Sequence, residues 1–334
     1  NLYKNILSKV YKYYMKILAV QSRMGIGDTV IFLPFMKALS KKFNSPISIL
    51  VKENSKANQY LHQTKYIDKI LILERDNKTN NRHGGFFGIF NLVKDLKKHK
   101  FDKIFIFNSS LRFNLIAKMS GIPKIYQYPL FTKFKQHITK VPRNFLKTNL
   151  DLDINEDPEV QIDNELIYKA VQKFQIDKNK INILLGIGGS GPTKRIPAKI
   201  FLSVIEKISD TKDCKFFLAT GNTNEEQEIL NIILNSKFKN FCTRLDNLSI
   251  SEILPLIKSC NVSICNDSSF SHLSSALGVK TITLMADTPL IYGNYSTKMF
   301  PIIPEGEETV SHNTLGKERI NPQKIFEKFM EIID

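Results

Sequence analysis

No run of about 18 uninterrupted apolar residues occurs anywhere in the 334-residue sequence, so no segment reads as a membrane-spanning helix. The charged, apolar, small-residue series of a secretory signal is missing too. Cysteine is scarce: Cys214, Cys242, Cys260 and Cys265 lack metal-ligand spacing. Neither a disulfide framework nor a zinc site is expected, and reduced thiols in a cytoplasmic protein are the simplest reading. Neither glycine turn in the chain completes Gly-x-Gly-x-x-Gly, which argues against a dinucleotide-dependent dehydrogenase. No nucleic-acid module with aromatic stacking platforms is recognisable, so no nucleic-acid partner is expected.

What is abundant is positive charge, and it is unevenly placed. The net charge is +16, but residues 1–150 carry 28 Lys and Arg against 7 Asp and Glu, a net +21, while residues 151–334 carry 20 against 25, a net −5. Such asymmetry predicts two domains with different partners, the first facing something anionic. Within residues 1–15, Leu2, Tyr3, Ile6, Leu7, Val10, Tyr13 and Tyr14 recur at helical spacing with Lys4, Lys9 and Lys12 between them. A basic amphipathic segment of this kind either lies on an anionic membrane surface or docks on its own domain.

Periodicity predicts an α/β chain. An apolar strand at Lys16 to Ser22 leads through Gly25-Ile-Gly-Asp28 into a helix expected over Thr29 to Phe43. Further strands are expected at Ile47 to Val51, Ile70 to Leu73 and Lys103 to Asn108, with a helix at Phe90 to His99. The segments Arg75 to Gly85 and Tyr126 to Asn149 read as mobile. Acidic Asp151 to Asp163, carrying Pro158, marks the linker. The pattern then restarts, with a strand at Ile181 to Ile187, a turn from Gly188 to Arg195 and a helix from Pro197 to Ser209. Two α/β units, each with a glycine turn after its first strand, predict two Rossmann-like domains around a cleft.

The densest run of reactive side chains is Ile264-Cys-Asn-Asp-Ser-Ser-Phe-Ser-His-Leu273. It reads as a strand end, a turn of N-cap residue types and a helix stopped by Gly278. The first N–H groups of such a helix, with its dipole, favour phosphate or diphosphate; the plainer alternative is that Asp267 caps the helix and His272 fills its first turn.

Gly25-Ile-Gly-Asp28, Lys194-Arg-Ile-Pro197 and Asn266-Asp-Ser-Ser-Phe-Ser-His-Leu273, in that order and spacing, resemble the heptosyltransferase family, glycosyltransferase family 9, from about Lys16 onward. The resemblance implies a GT-B fold, an α/β architecture of two facing Rossmann-like domains with parallel sheets and a cleft between them. On that basis residues 1–155 form the acceptor domain, 156–320 the nucleotide-sugar domain and 321–334 a closing helix. It further implies inverting, metal-independent transfer, with no cofactor beyond the co-substrate ADP-heptose. The implied acceptor is an anionic glycolipid of lipopolysaccharide core assembly, met at the cytoplasmic face of the inner membrane.

Carried onto this chain, the resemblance makes Asp28 the catalytic base; helix capping is its alternative role. Lys194 neutralises the leaving diphosphate, with the backbone N–H groups of Ser268, Ser269 and Phe270 on the opposite side. Ser190 and Thr193 are candidate hydroxyl donors, and Arg195 either assists or is solvated. Glu225 stands at the ribose position, with Glu226 as its rival. Asp267 faces the sugar or orders the loop, and His272 supports it. Gly27, Arg23 and Arg112 are the expected acceptor contacts. The chain departs from the family pattern at Ser269, in place of Gly, at Ile196, in place of Trp, and in Met285-Ala-Asp-Thr-Pro289, a turn one residue shorter. These departures leave two other readings: a decayed sugar-nucleotide-binding protein and a nucleotide-sugar epimerase of the same architecture.

Overall fold

The computed structural model describes residues 15–75, 81–130 and 138–333; the basic amphipathic segment at residues 1–14 lies outside the described residues. The first unit contains β1 (Ile17–Val20), α1 (Ile26–Phe43), β2 (Ile47–Lys52), β3 (Ile67–Leu73), α2 (Phe87–Lys97), β4 (Lys103–Ile106), α3 (Leu111–Met119), β5 (Lys124–Gln127) and α4 (Lys140–Leu150). The second contains α5 (Asn164–Lys173), β6 (Ile181–Gly186), α6 (Ala198–Ser209), β7 (Cys214–Ala219), α7 (Asn224–Leu234), β8 (Cys242–Arg244), α8 (Ile250–Ser259), β9 (Val262–Asn266), α9 (Ser269–Ala276), β10 (Lys280–Leu284), β11 (Met299–Ile302) and α10 (Pro322–Ile333).

Each unit is built on one all-parallel sheet, in the order β3-β2-β1-β4-β5 and β11-β10-β9-β6-β7-β8. The central strands are apolar without alternation because helices cover both faces; all four residues of β1 and all five of β9 are buried. In both sheets the strand order reverses beside the first strand, between β1 and β4 and between β6 and β9. Crevices outside the carboxyl ends of strands at such reversals are where α/β folds bind ligands. The three motifs follow β1, β6 and β9, so the topology delivers them to these crevices.

Several expectations change in position. The helix after β1 begins at Ile26, not Thr29, because Gly25, at φ 97°, serves as its N-cap. Asp28 is therefore in the first helical turn, where its charge suits the positive end of the dipole, and is not the cap. Pro34 sits within α1 and is buried. Asp267 is not a cap either, since Ser268 occupies that place in α9. The stretch expected to be mobile up to Asn149 contains β5 and α4. Tyr128 and Phe145 of that stretch pack edge to face with each other and with Phe107, just after β4, at ring-centroid distances of 5.0 to 6.0 Å.

Residues 151–163 carry no helix or strand, and they are strapped to both units. Glu156 and Glu159 pair with Lys37 of α1, while the Val160 N–H donates to the Ala276 carbonyl at 2.8 Å and the Thr297 N–H to Asp157 at 2.9 Å. The acidic run is matched to the basic helix it crosses. All four cysteines are free, and burial pushes the Cys265 thiol up to about 12. Among the described residues no helix is long and apolar enough to cross a membrane.

Phe105 of β4 is fully buried and stacks on Tyr126 at 4.6 Å. Phe105→Ala is expected to destabilise the chain by about 3–5 kcal/mol in denaturant unfolding.

Candidate active site

A cleft of 850 Å³ opens between the carboxyl edges of the two sheets, lined by residues 24–28 from the first unit and by residues 188–190, 194–195 and 267–270 from the second. What joins the walls is the packing of α1 on α9. Gly27 lies directly against the His272 ring, where a Cβ at position 27 would come within 2.5 Å of Cδ2 and Nε2. Only hydrogen fits there. The His272 ring stacks on Tyr295 at 5.6 Å and 18°, with Nδ1 and the Tyr295 hydroxyl 2.7 Å apart.

From this contact outward the charges fall into place. Lys194 donates to Asp267 Oδ2 at 2.7 Å, and His272 Nε2 lies 3.7 Å from Asp267 Oδ1. Burial disfavours charge on Asp267, yet the His272 ring and the Lys194 ammonium outweigh it and hold the carboxyl well below the usual range. Asp28 is the opposite case. Burial pushes its carboxyl above the usual range, and Asp267 adds to the push against the opposing Arg23, His272 and Lys194. Among the described residues no hydrogen bond or ion pair is made by the Asp28 carboxylate, although the Asp28 carbonyl accepts from Gln21 Nε2 at 3.0 Å.

The second wall is a set of turns held by one buried carboxylate. Glu226 closes a capping box with Thr223 and accepts from the Gly189 N–H at 3.0 Å. A Cβ on Gly221 would lie 2.4 Å from its Oε2, so the turn after β7 needs glycine to approach it. Arg195 is pinned by donating from Nε to the Gly189 carbonyl at 2.9 Å and by pairing with Glu225. The hydroxyls of Thr220 and Thr288 line the cleft, buried and without hydrogen-bond partners among the described residues. Unpaired polar atoms beside turns this close suit a polar ligand.

Of the residues singled out from sequence, Gly27, Asp28, Ser190, Lys194, Arg195, Asp267, Ser268, Ser269, Phe270 and His272 line the cleft together. Others are placed elsewhere. Arg112 donates to the carbonyls of His83 and Gly85 at 2.6 and 2.7 Å, holding a loop, and is absent from the cleft lining. Arg23 also lies off the lining, close enough to Asp28 to act on its charge. Thr193 lies off the lining and close to Asp287, whose carboxyl it helps to hold below the usual range. Glu225 is turned to Arg195, and its rival Glu226 is the one at the cleft. The Ser268 N–H points to Ser271 Oγ at 3.4 Å, which leaves Ser269 and Phe270, the first two residues of α9, with amides unused inside the helix. Tyr295 and the cleft residues Asn54, Lys56 and Asp246 were missed. The signal for Asn54 and Lys56 was their place just after β2, at the ligand-binding edge of the sheet. Tyr295 had no local signal.

Among the described residues no group of three or more His, Cys, Asp or Glu could hold a metal ion. The family description "Glycosyltransferase family 9 (heptosyltransferase)" matches residues 89–312. Lipopolysaccharide heptosyltransferase 1 of Campylobacter coli is 31% identical over 170 residues, 50% of this chain and 49% of that protein, so the match spans about half its length. Among solved structures, the Escherichia coli ADP-heptose lps heptosyltransferase II superposes with a TM-score of 0.70 at 17% identity, covering 96% of this chain and 98% of that one. A Veillonella parvula family 9 glycosyl transferase superposes with a TM-score of 0.76 at 18% identity, covering 96% and 97%. At these identities the structural likeness is one of fold, and that fold is GT-B.

Gly27→Ala forces the His272 ring to move and is expected to lower catalytic efficiency about 10²-fold, the scale of a misplacement near 1 Å. The comparison is made in steady-state transfer assays of variant and wild type. Unchanged turnover in a folded variant would show that the α1–α9 contact does not set the site.

Proposed function

This chain belongs to glycosyltransferase family 9 (heptosyltransferase), and from that premise we propose that it transfers heptose from ADP-heptose, with inversion and without a metal, to a sugar hydroxyl of a lipopolysaccharide core or related anionic glycolipid. The observation that carries the reading is the contrast between the two carboxylates in the cleft. Asp28 is half-buried, without a partner among the described residues, and raised in pKa; Asp267 is buried, paired and lowered. Environments that push two carboxyl groups apart assign them different tasks. Asp28 is the proton acceptor, and Asp267 fixes Lys194.

In the proposed step the Asp28 carboxylate takes the proton of the acceptor hydroxyl as that oxygen bonds to the anomeric carbon. The bond from that carbon to the β-phosphate oxygen breaks on the far side, and ADP departs carrying the electron pair. Negative charge grows on the leaving oxygen, which Lys194 and the Ser269 and Phe270 N–H groups are placed to stabilise. Glu226, holding the turns at Gly189 and Gly221, takes the place that the sequence assigned to Glu225 beside the nucleotide. Membrane-face location follows from the lipid nature of the acceptor.

Asp28→Asn keeps the shape and removes the base. With a chelator present throughout, transfer from ADP-heptose is expected to fall by about 10²–10⁴-fold, while the thermal upshift produced by ADP-heptose persists. Turnover close to wild type would sink the base assignment, and a missing upshift would sink the donor.

The pH profile carries the sign of the Asp28 shift. A base works deprotonated, so efficiency falls as pH drops through a pKa lying above the ordinary aspartate value. Arg23 lowers that pKa, so Arg23→Ala is expected to move the acid limb to higher pH. An acid limb that stays put in that variant would detach it from Asp28.

A further inference from the structure

We propose that the outer faces of α2 and α3 form a docking surface for an anionic lipid bilayer, with Phe86, Phe87 and Phe90 as its inserting edge. Phe86 and Phe87 are 69% and 79% exposed, the most open large apolar side chains among the described residues. Phe86 meets Phe87 and Phe90 edge to face, at 6.0 and 5.6 Å between ring centroids. The cluster is rigidly mounted. Gly88 packs so tightly on the His83 backbone that a Cβ would lie 2.2 Å from its carbonyl carbon, and Arg112 of α3 clamps the His83 and Gly85 carbonyls.

The pattern along the two helices is that of a membrane-surface face. Phe87, Phe90, Lys94 and Lys97 recur at spacings of three and four along α2, and Leu111, Leu115 and Lys118 do so along the adjacent α3; all seven are exposed. Both helices follow parallel strands, so both begin at the cleft edge of the sheet. The apolar residues therefore gather at the cleft rim, and the lysines lie further along. Aromatic and aliphatic side chains beside a flank of lysine are what an interface of acyl chains and anionic headgroups accepts.

Charge selects the occupant. Residues 81–125 carry nine Lys and Arg against two acidic residues, Asp95 and Asp102, and Asp95 is already bound by Arg82 and Lys98. A second copy of the chain would bring the same positive field against itself, whereas an anionic bilayer complements it. The face starts at the carboxyl edge of the first sheet, the edge that also bounds the cleft, so docking there would bring a lipid-borne sugar to the side of the unit that carries Asp28. The inference rests on the proposed glycolipid acceptor for its purpose, but its test needs no turnover.

The full chain is sedimented with vesicles of phosphatidylethanolamine containing phosphatidylglycerol, and with vesicles of phosphatidylcholine alone. The wild type is expected to bind the anionic vesicles preferentially, Phe86→Ser/Phe87→Ser/Phe90→Ser to lose about tenfold or more in partitioning, and Lys94→Glu/Lys97→Glu/Lys118→Glu to lose the anionic preference. Both variants alter exposed positions and are expected to keep the wild-type melting temperature. Undiminished vesicle binding by the phenylalanine variant would place membrane contact elsewhere, such as residues 1–14, and overturn the proposal. So would a wild type that binds no vesicles, or one that dimerises through this face and becomes monomeric in the phenylalanine variant. A chain that binds vesicles through these residues yet shows no thermal shift with ADP-heptose upholds the surface and overturns only the donor.

Discussion

The fit of Gly27 against the His272 ring is the contact on which the rest of the site depends. It joins the first turn of α1 to the first turn of α9, two helices that each follow a central strand of a separate parallel sheet. With no side chain at position 27, the two helix starts approach closely enough for a charge on one to act on a charge on the other. Asp28, one residue on, is thereby brought under the influence of Asp267 and Lys194. A larger residue at 27 would separate the walls of the cleft and weaken that coupling.

The coupling gives the two carboxylates different chemistry from one shared environment. Both are disfavoured as anions by burial, but Asp267 is bonded directly by Lys194 with the His272 ring beside it, which outweighs burial, whereas Arg23, His272 and Lys194 act on Asp28 without a hydrogen bond and offset its burial only in part. Tyr295 extends the arrangement by holding the other nitrogen of His272, and so fixes the ring that packs on Gly27. Asp267, His272 and Tyr295 thus act through position: they set where Lys194 and the start of α9 stand. Membership of a family named for heptosyl transfer agrees with a cleft that holds, among the described residues, a carboxylate without a hydrogen bond, a lysine and the first amides of α9.

Much of this was legible in the chain before folding. The alternation of apolar strands and helices predicted two α/β units, and the acidic run at the shift in composition carries Glu156 and Glu159, which pair with Lys37 of α1. Ten of the residues singled out line the cleft because they follow strands whose carboxyl ends form it. The misplacements have local causes. Arg112 was attractive as a cation after β4, but its guanidinium reaches two loop carbonyls first. Glu225 and Glu226 cannot be separated by spacing alone, since the choice depends on which one a capping box turns inward. The stretch around α4 was read as aperiodic, yet Pro142, Phe145 and Leu146 form a short buried face at spacings of three and four, set by the fit of Phe145 against Phe105 and Phe107.

By itself the sequence determined the fold class, the family and the three turns that carry reactive groups, because hydrophobic period, glycine placement and capping types act over a few residues and can be read along the chain. Tertiary structure alone decided which of those groups meet: Lys194 with Asp267, His272 with Tyr295 and Gly27, and Asp28 with no hydrogen-bond partner among the described residues. The Lys194–Asp267 pair joins positions 73 residues apart, and the strength of such an interaction depends on distance and burial, which exist for this pair only once β6 and β9 lie side by side in the second sheet, and for Gly27 and His272 only once the two units meet.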